Sequence, residues 1–160
     1  MTTPLIILGL LTAPYVALCA WASVRGKPVN RAVGAVMGLS AVFMFTGVGH
    51  FVRTGPMAEM LPPWIPYRVV LIYLTGLLEF ALALALLLPR LRRLAGRACI
   101  AVLVLFFPVN VYAAINQVGM GGHLWGPVYL LIRGPLQVIL IIWAYGLVVR
   151  RQGPTHSEGG

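Results

Sequence analysis

The chain has 160 residues, of which 60% are hydrophobic and only 9% charged, and its mean hydropathy is +0.92. An ordinary soluble domain carries about a quarter of its residues as charges, so this composition excludes a soluble fold and leaves room for one membrane domain. The net charge of +9 lies in short loops between apolar runs, which fits the positive-inside pattern of membrane proteins and excludes a continuous nucleic-acid-binding face.

Five apolar runs follow one another at 5–24, 32–52, 69–88, 98–118 and 128–149. Each approaches the ~20 residues that a helix needs to cross a bilayer. The fold class expected is therefore all-α, a polytopic membrane helical bundle of five spans in a single transmembrane domain, 1–151. The start of the chain lacks the basic segment of a signal peptide, so the first run is expected to be retained. Arg25, Lys27 and Arg31 separate runs one and two, Arg90, Arg92, Arg93 and Arg97 separate three and four, and Arg150 and Arg151 follow run five. With five spans all nine fall on one side, which sets the N-terminus outside and the C-terminus in the cytoplasm. The polar tail, 152–160, is expected to be a disordered cytoplasmic segment.

The first run holds Cys19 and the fourth Cys99, with no C-x-x-C, so neither a redox pair nor a zinc site is signalled. Run two contains Gly34 and Gly38 at the four-residue spacing that lets another helix approach closely, then Gly47, Gly49 and His50. The next loop, 55–67, mixes Pro56, Pro62, Pro63 and Pro66 with Met57, Met60, Leu61, Trp64 and Tyr67. Prolines forbid a long helix there, while Trp and Tyr favour the headgroup level. The loop reads as a flap at the outer surface with Trp64 and Tyr67 as a lid over a cavity, or as a plain interfacial belt.

Run three carries Glu79 near its middle. The chain has no Asp, and its other acids are Glu59 and Glu158. A carboxylate in hydrocarbon costs on the order of 2.5–3.5 kcal/mol or more, so Glu79 must be neutral, paired or facing water. Run four contains Pro108, expected to kink the helix, and Asn110, expected to bond a neighbouring backbone or Glu79. The glycine-rich loop 119–127 lacks the Lys-Ser/Thr of a phosphate loop, so no nucleotide site is read there. Run five brings Arg133 and Gln137, four apart on one helix face.

A rise of 1.5 Å per residue puts Glu79 and Gln137 roughly 15 Å below the outer ends of their helices, Asn110 about 12, Arg133 about 9 and His50 about 5. The simplest account is a Glu79–Arg133 ion pair, with Asn110 and Gln137 satisfying the remaining groups. Such a layer is either a structural clamp or the polar wall of a cavity, with Glu79 or His50 handling protons or a ligand's polar head. His50 is the only histidine in a span, so paired haem ligands are not signalled, and His50, His123 and Glu79 lack metal-ligand spacing.

Six stretches in order resemble the DoxX-like integral membrane proteins: Gly47-Val48-Gly49-His50-Phe51, Met60-Leu61-Pro62-Pro63-Trp64-Ile65-Pro66, Gly76-Leu77-Leu78-Glu79, Leu88-Pro89-Arg90-Leu91-Arg92-Arg93-Leu94-Ala95, Phe107-Pro108-Val109-Asn110-Val111-Tyr112 and Arg133-Gly134-Pro135-Leu136-Gln137. The resemblance implies a four-helix core, to which this chain adds an N-terminal helix, and a bacterial cytoplasmic (inner) membrane location. It marks His50, Glu79, Asn110, Arg133 and Gln137 as the pattern's polar residues without assigning them catalysis. It also implies redox association, since some relatives are subunits of thiosulfate:quinone oxidoreductase.

Three functions compete. The first is a redox-associated subunit whose polar intramembrane cavity binds a quinone or similar lipophilic molecule, electrons passing through a partner redox protein. The second is a non-catalytic assembly factor or scaffold that contacts other membrane proteins, or a second copy of itself, through the Gly34/Gly38 face and the flap. The third is an enzyme doing proton transfer on a lipid or isoprenoid, with Glu79 as acid or base.

Overall fold

The computed structural model describes residues 2–26 and 30–150. Lys27, Arg151 and the tail 152–160, expected to be disordered, lie outside the described residues. Among the described residues every regular element is helical: α1 (Thr2–Val24), α2 (Arg31–Val52), a short α3 (Thr54–Glu59), α4 (Arg68–Leu87), α5 (Arg92–Ile115) and α6 (Leu130–Trp143). A 3₁₀ segment, His123–Tyr129, leads into α6, and a π-helical turn, Ala144–Val149, follows it. Five helical stretches are long and apolar enough to cross a membrane, namely α1, α2, α4, α5 and the composite His123–Gly146. In hydrocarbon each backbone group must find its partner inside the segment, which is why spans this apolar are helices. Their outward faces carry Leu74, Leu77, Leu105 and Ile142, all more than half exposed. An apolar surface of that extent is stable only against lipid or another protein.

Helix limits depart from apolar limits where polar residues continue the helix. The fourth helix begins at Arg92, six residues before the apolar run. It then runs through Pro108 to Ile115, and Gln117, at a left-handed φ of 51°, turns the chain away. The fifth span is interrupted near its start by Gly126 (φ 65°, ψ −152°), a conformation that glycine adopts without steric cost.

Helix α2 is the axis of the packing. A Cβ on Gly34 would lie 2.9 Å from Tyr15 Cα, and one on Gly38 would fall on the Leu11 carbonyl, so α1 sits directly on this glycine face. Expected as a contact for other proteins, the Gly34/Gly38 stripe is covered by the chain's own first helix. On another side Gly47 and Gly76 bring α2 and α4 together, and Ser40 Oγ donates to the Ala83 carbonyl at 2.8 Å. Trp143 Nε1 donates to the Ala35 carbonyl at 3.1 Å and its ring meets Tyr15 edge-on at 5.4 Å, tying the last span to α1 and α2. One end of the α4–α5 pair is filled by buried Leu82, Leu86, Cys99 and Val102. The opposite end frames a cavity.

Candidate functional site

That cavity lies where the end of α2, the first half of α4 and the last half of α5 meet. Gly76 makes the meeting close: a Cβ there would be 2.7 Å from His50 Cβ. His50, 8% exposed, therefore projects along α4, where its Nδ1 lies 3.1 Å from the Ile72 carbonyl and 3.0 Å from Thr75 Oγ1. Its Nε2 lies 3.7 Å from Glu79 Oε1, within ion-pair range but longer than a hydrogen bond. Glu79 is 6% exposed, and its Oε2 is buried with no hydrogen-bond partner among the described residues.

The hydrogens follow from these contacts. A carbonyl only accepts, so the Ile72 contact is a hydrogen bond when Nδ1 carries a proton. Nε2 is the ring nitrogen turned toward Glu79, so an imidazole and a carboxyl face each other in the cavity wall.

The expected Glu79–Arg133 bridge is not formed. Arg133 Nε instead donates to Asn110 Oδ1 at 3.2 Å, and Asn110 Nδ2 donates to the Phe106 carbonyl of its own helix at 2.8 Å. Gln137 Nε2 donates to the Leu103 carbonyl at 2.6 Å. By helix rise Arg133 is roughly 3 Å from the level of Asn110, which keeps that partner within reach. His50 reaches Glu79 because α2 and α4 are pressed together by glycines. Even so, Glu79 and Arg133 both line a cavity of about 270 Å³, together with His50, Asn110, Thr46 and Thr75. They also border a smaller void of about 40 Å³ that takes in Gln137. All five expected polar residues therefore surround one region: His50 and Glu79 at ion-pair distance, Arg133 and Asn110 joined by a hydrogen bond, and Gln137 bonded to a backbone carbonyl.

The cavity is roofed by the loop after α2, but by different residues from those expected. Met57, Met60 and Leu61 line it, whereas Trp64 and Tyr67 are 80% and 81% exposed and line neither it nor the void beneath. Their amphipathic rings suit the boundary between water and lipid better than an interior wall. Thr54 Oγ1, donating to the His50 carbonyl at 2.7 Å, anchors α3 above the site. Arg68 closes the loop by donating to the Ala58 and Leu61 carbonyls at 3.5 and 3.4 Å. Thr46 and Thr75 were not among the expected site residues. Their spacing carried a signal, because each lies four residues before a member of the buried pair and so shares its helix face.

Among the described residues no three His, Cys, Asp or Glu side chains come together. Residues 39–148 match the family model DUF8561, a domain of unknown function. That segment contains every residue of the site and leaves α1 outside it. Comparison with curated proteins and with solved structures found no match.

Proposed function

The chain belongs to the DUF8561 family, and we propose that it is a redox-associated membrane subunit that holds a quinone, or a similar lipophilic molecule with a polar head, in the cavity beneath Met57 and Met60. The observation that carries this reading is Glu79 Oε2, a buried acid oxygen without a protein partner in the wall of a largely apolar cavity. Buried polar atoms are almost always paired, and an orphan in a binding-sized recess is a place for a ligand atom. A quinone ring offers apolar faces to Leu61, Ile72, Phe106 and Val109, and its carbonyl oxygens suit the polar groups of the lining, His50, Glu79 and Arg133. On reduction each oxygen takes up one electron and one proton. The His50–Glu79 pair is placed to hand over a proton, and the electrons come from a partner redox protein.

The resemblance to DoxX-like proteins supports the same reading, with a bacterial cytoplasmic-membrane location, the N-terminus outside and the C-terminus in the cytoplasm. The assembly-factor reading loses a proposed contact, since α1 covers Gly34 and Gly38.

The test is purification in a mild detergent, solvent extraction with redox difference spectra, and calorimetric titration with a short-chain benzoquinone analogue. Quinone should be present in the extract, and Glu79→Gln should weaken analogue binding about tenfold or more, the worth of one charge-assisted hydrogen bond. A quinone-free wild-type protein that does not bind the analogue, or equal binding by Glu79→Gln, would overturn the reading.

A further inference from the structure

A second, larger cavity of about 450 Å³ adjoins the first and shares Thr46, Met57, Met60, Asn110 and Arg133 with it. Its own character comes from Arg53 at the end of α2 and His123 at the start of the fifth span. Neither His50 nor Glu79 lines it.

Three observations bear on what it holds. First, its charge has one sign: Arg53 and Arg133 line it, and no carboxylate does. Second, the donors are unspent. Among the described residues Arg133 uses only Nε, on Asn110, which leaves both terminal nitrogens of the guanidinium fork without a partner there. His123 is 3% exposed, its Nδ1 is 2.6 Å from the Met120 carbonyl, and its Nε2 is buried with no partner. The loop is shaped around this ring. His123 packs edge-on against Tyr129 at 4.8 Å, and Gly122, at φ 107°, passes so near Tyr129 that a Cβ would meet its ring. Third, the lining continues outward through Phe45, Val48 and Val52 of α2, which are 37%, 49% and 71% exposed. An inorganic ion has no use for such an apolar rim, whereas an acyl chain does.

We propose that this cavity binds the phosphate headgroup of an anionic amphiphile, with the phosphate between Arg53 and Arg133 and its chains along Phe45, Val48 and Val52. A guanidinium fork matches phosphate oxygens in geometry as well as charge. The volume is within the ~300–1,000 Å³ of small-molecule sites. This site adjoins the quinone cavity through Arg133, and the two are told apart by residues that each has alone, Arg53 here and His50 and Glu79 there.

The test uses the full chain in a neutral detergent with four probes: dioctanoylphosphatidylglycerol, zwitterionic dioctanoylphosphatidylcholine, dioctanoylglycerol and sodium phosphate. Affinities are read by native mass spectrometry and calorimetry. The anionic lipid should bind about tenfold or more tightly than the zwitterionic one, as one added charge-assisted contact implies, and should weaken with salt. Arg53→Gln should lose about tenfold in that affinity, while Glu79→Gln keeps it. Arg53 is exposed and its side chain makes no hydrogen bond among the described residues, so this substitution should leave the fold intact. Sodium phosphate binding as tightly as the anionic lipid, and sensitive to Arg53→Gln, would support the phosphate site and identify free phosphate as its source. Equal affinity for the two phospholipids, or an Arg53→Gln variant that binds the anionic one as tightly as the parent, overturns the proposal.

Discussion

Replacing His50 by Leu removes the partner of a buried acid while keeping an apolar side chain of similar bulk. His50 and Glu79 are 8% and 6% exposed, and their nearest atoms are 3.7 Å apart. At that distance, and an effective dielectric constant near 20, two unit charges attract by about 4.5 kcal/mol, which is set against the cost of removing both from water. Breaking such a pair on one side typically costs about 3–5 kcal/mol because a charge is stranded, whereas replacing both members by apolar residues is often neutral. We therefore expect His50→Leu to destabilise by about 3 kcal/mol and the double variant His50→Leu/Glu79→Leu to return within about 1 kcal/mol of the parent. Glu79→Gln, whose amide can donate to Nε2, should cost under about 1.5 kcal/mol. The measurement is equilibrium unfolding in dodecylmaltoside with increasing dodecyl sulfate, followed by circular dichroism and analysed as a double-mutant cycle, with a coupling of about 2 kcal/mol expected between the contacting pair. If the double variant is as unstable as His50→Leu, the residues act by shape and the charge argument fails. If it is stable yet no longer binds the quinone analogue, the pair serves the ligand and not the fold.

Other consequences are as direct. Gly38→Ala drives a methyl into the Leu11 carbonyl and should cost about 1–3 kcal/mol in the same unfolding assay, whereas Gly9→Ala, with nothing within 4 Å, should stay within about 0.5. Trp143→Phe gives up the bond to the Ala35 carbonyl and should lose about 1 kcal/mol by the same measurement. Met60→Ala should weaken analogue binding in calorimetry, while Trp64→Ala and Tyr67→Ala leave it unchanged, because only the methionine lines the cavity. In intact cells a cysteine at Thr2 should react with an impermeant maleimide, and one at Arg90 only after permeabilisation. The reverse pattern would invert the proposed orientation.

The spans were legible because hydropathy and length are properties of each segment taken alone. Arg92–Arg97 show the limit: they are helical but not apolar, so a hydropathy reading begins the fourth helix six residues late. The close approach at Gly34 and Gly38 was also legible, since only glycine spacing permits it, but which helix makes it was not. The stripe is equally open to a partner protein and to the chain's own α1, and only three-dimensional packing chooses. The roof of the cavity was hidden for a related reason. Loop 55–67 offers both aromatics and methionines, and turning Trp64 and Tyr67 outward leaves Met57, Met60 and Leu61 facing in.

The partner of Glu79 was misread by treating charge as the criterion. An acid inside hydrocarbon needs a partner, and a histidine can serve as well as an arginine. Nδ1 facing the Ile72 carbonyl leaves Nε2 turned toward the carboxyl at 3.7 Å. Arg133 is therefore left with a neutral companion, Asn110, and no carboxylate within ion-pair distance among the described residues. Its position in the walls of both adjoining cavities then acquires a reason. A Glu79–Arg133 bridge would have spent both side chains on the fold, whereas the arrangement present leaves the carboxyl and the guanidinium both lining the cavity with hydrogen-bonding capacity to spare.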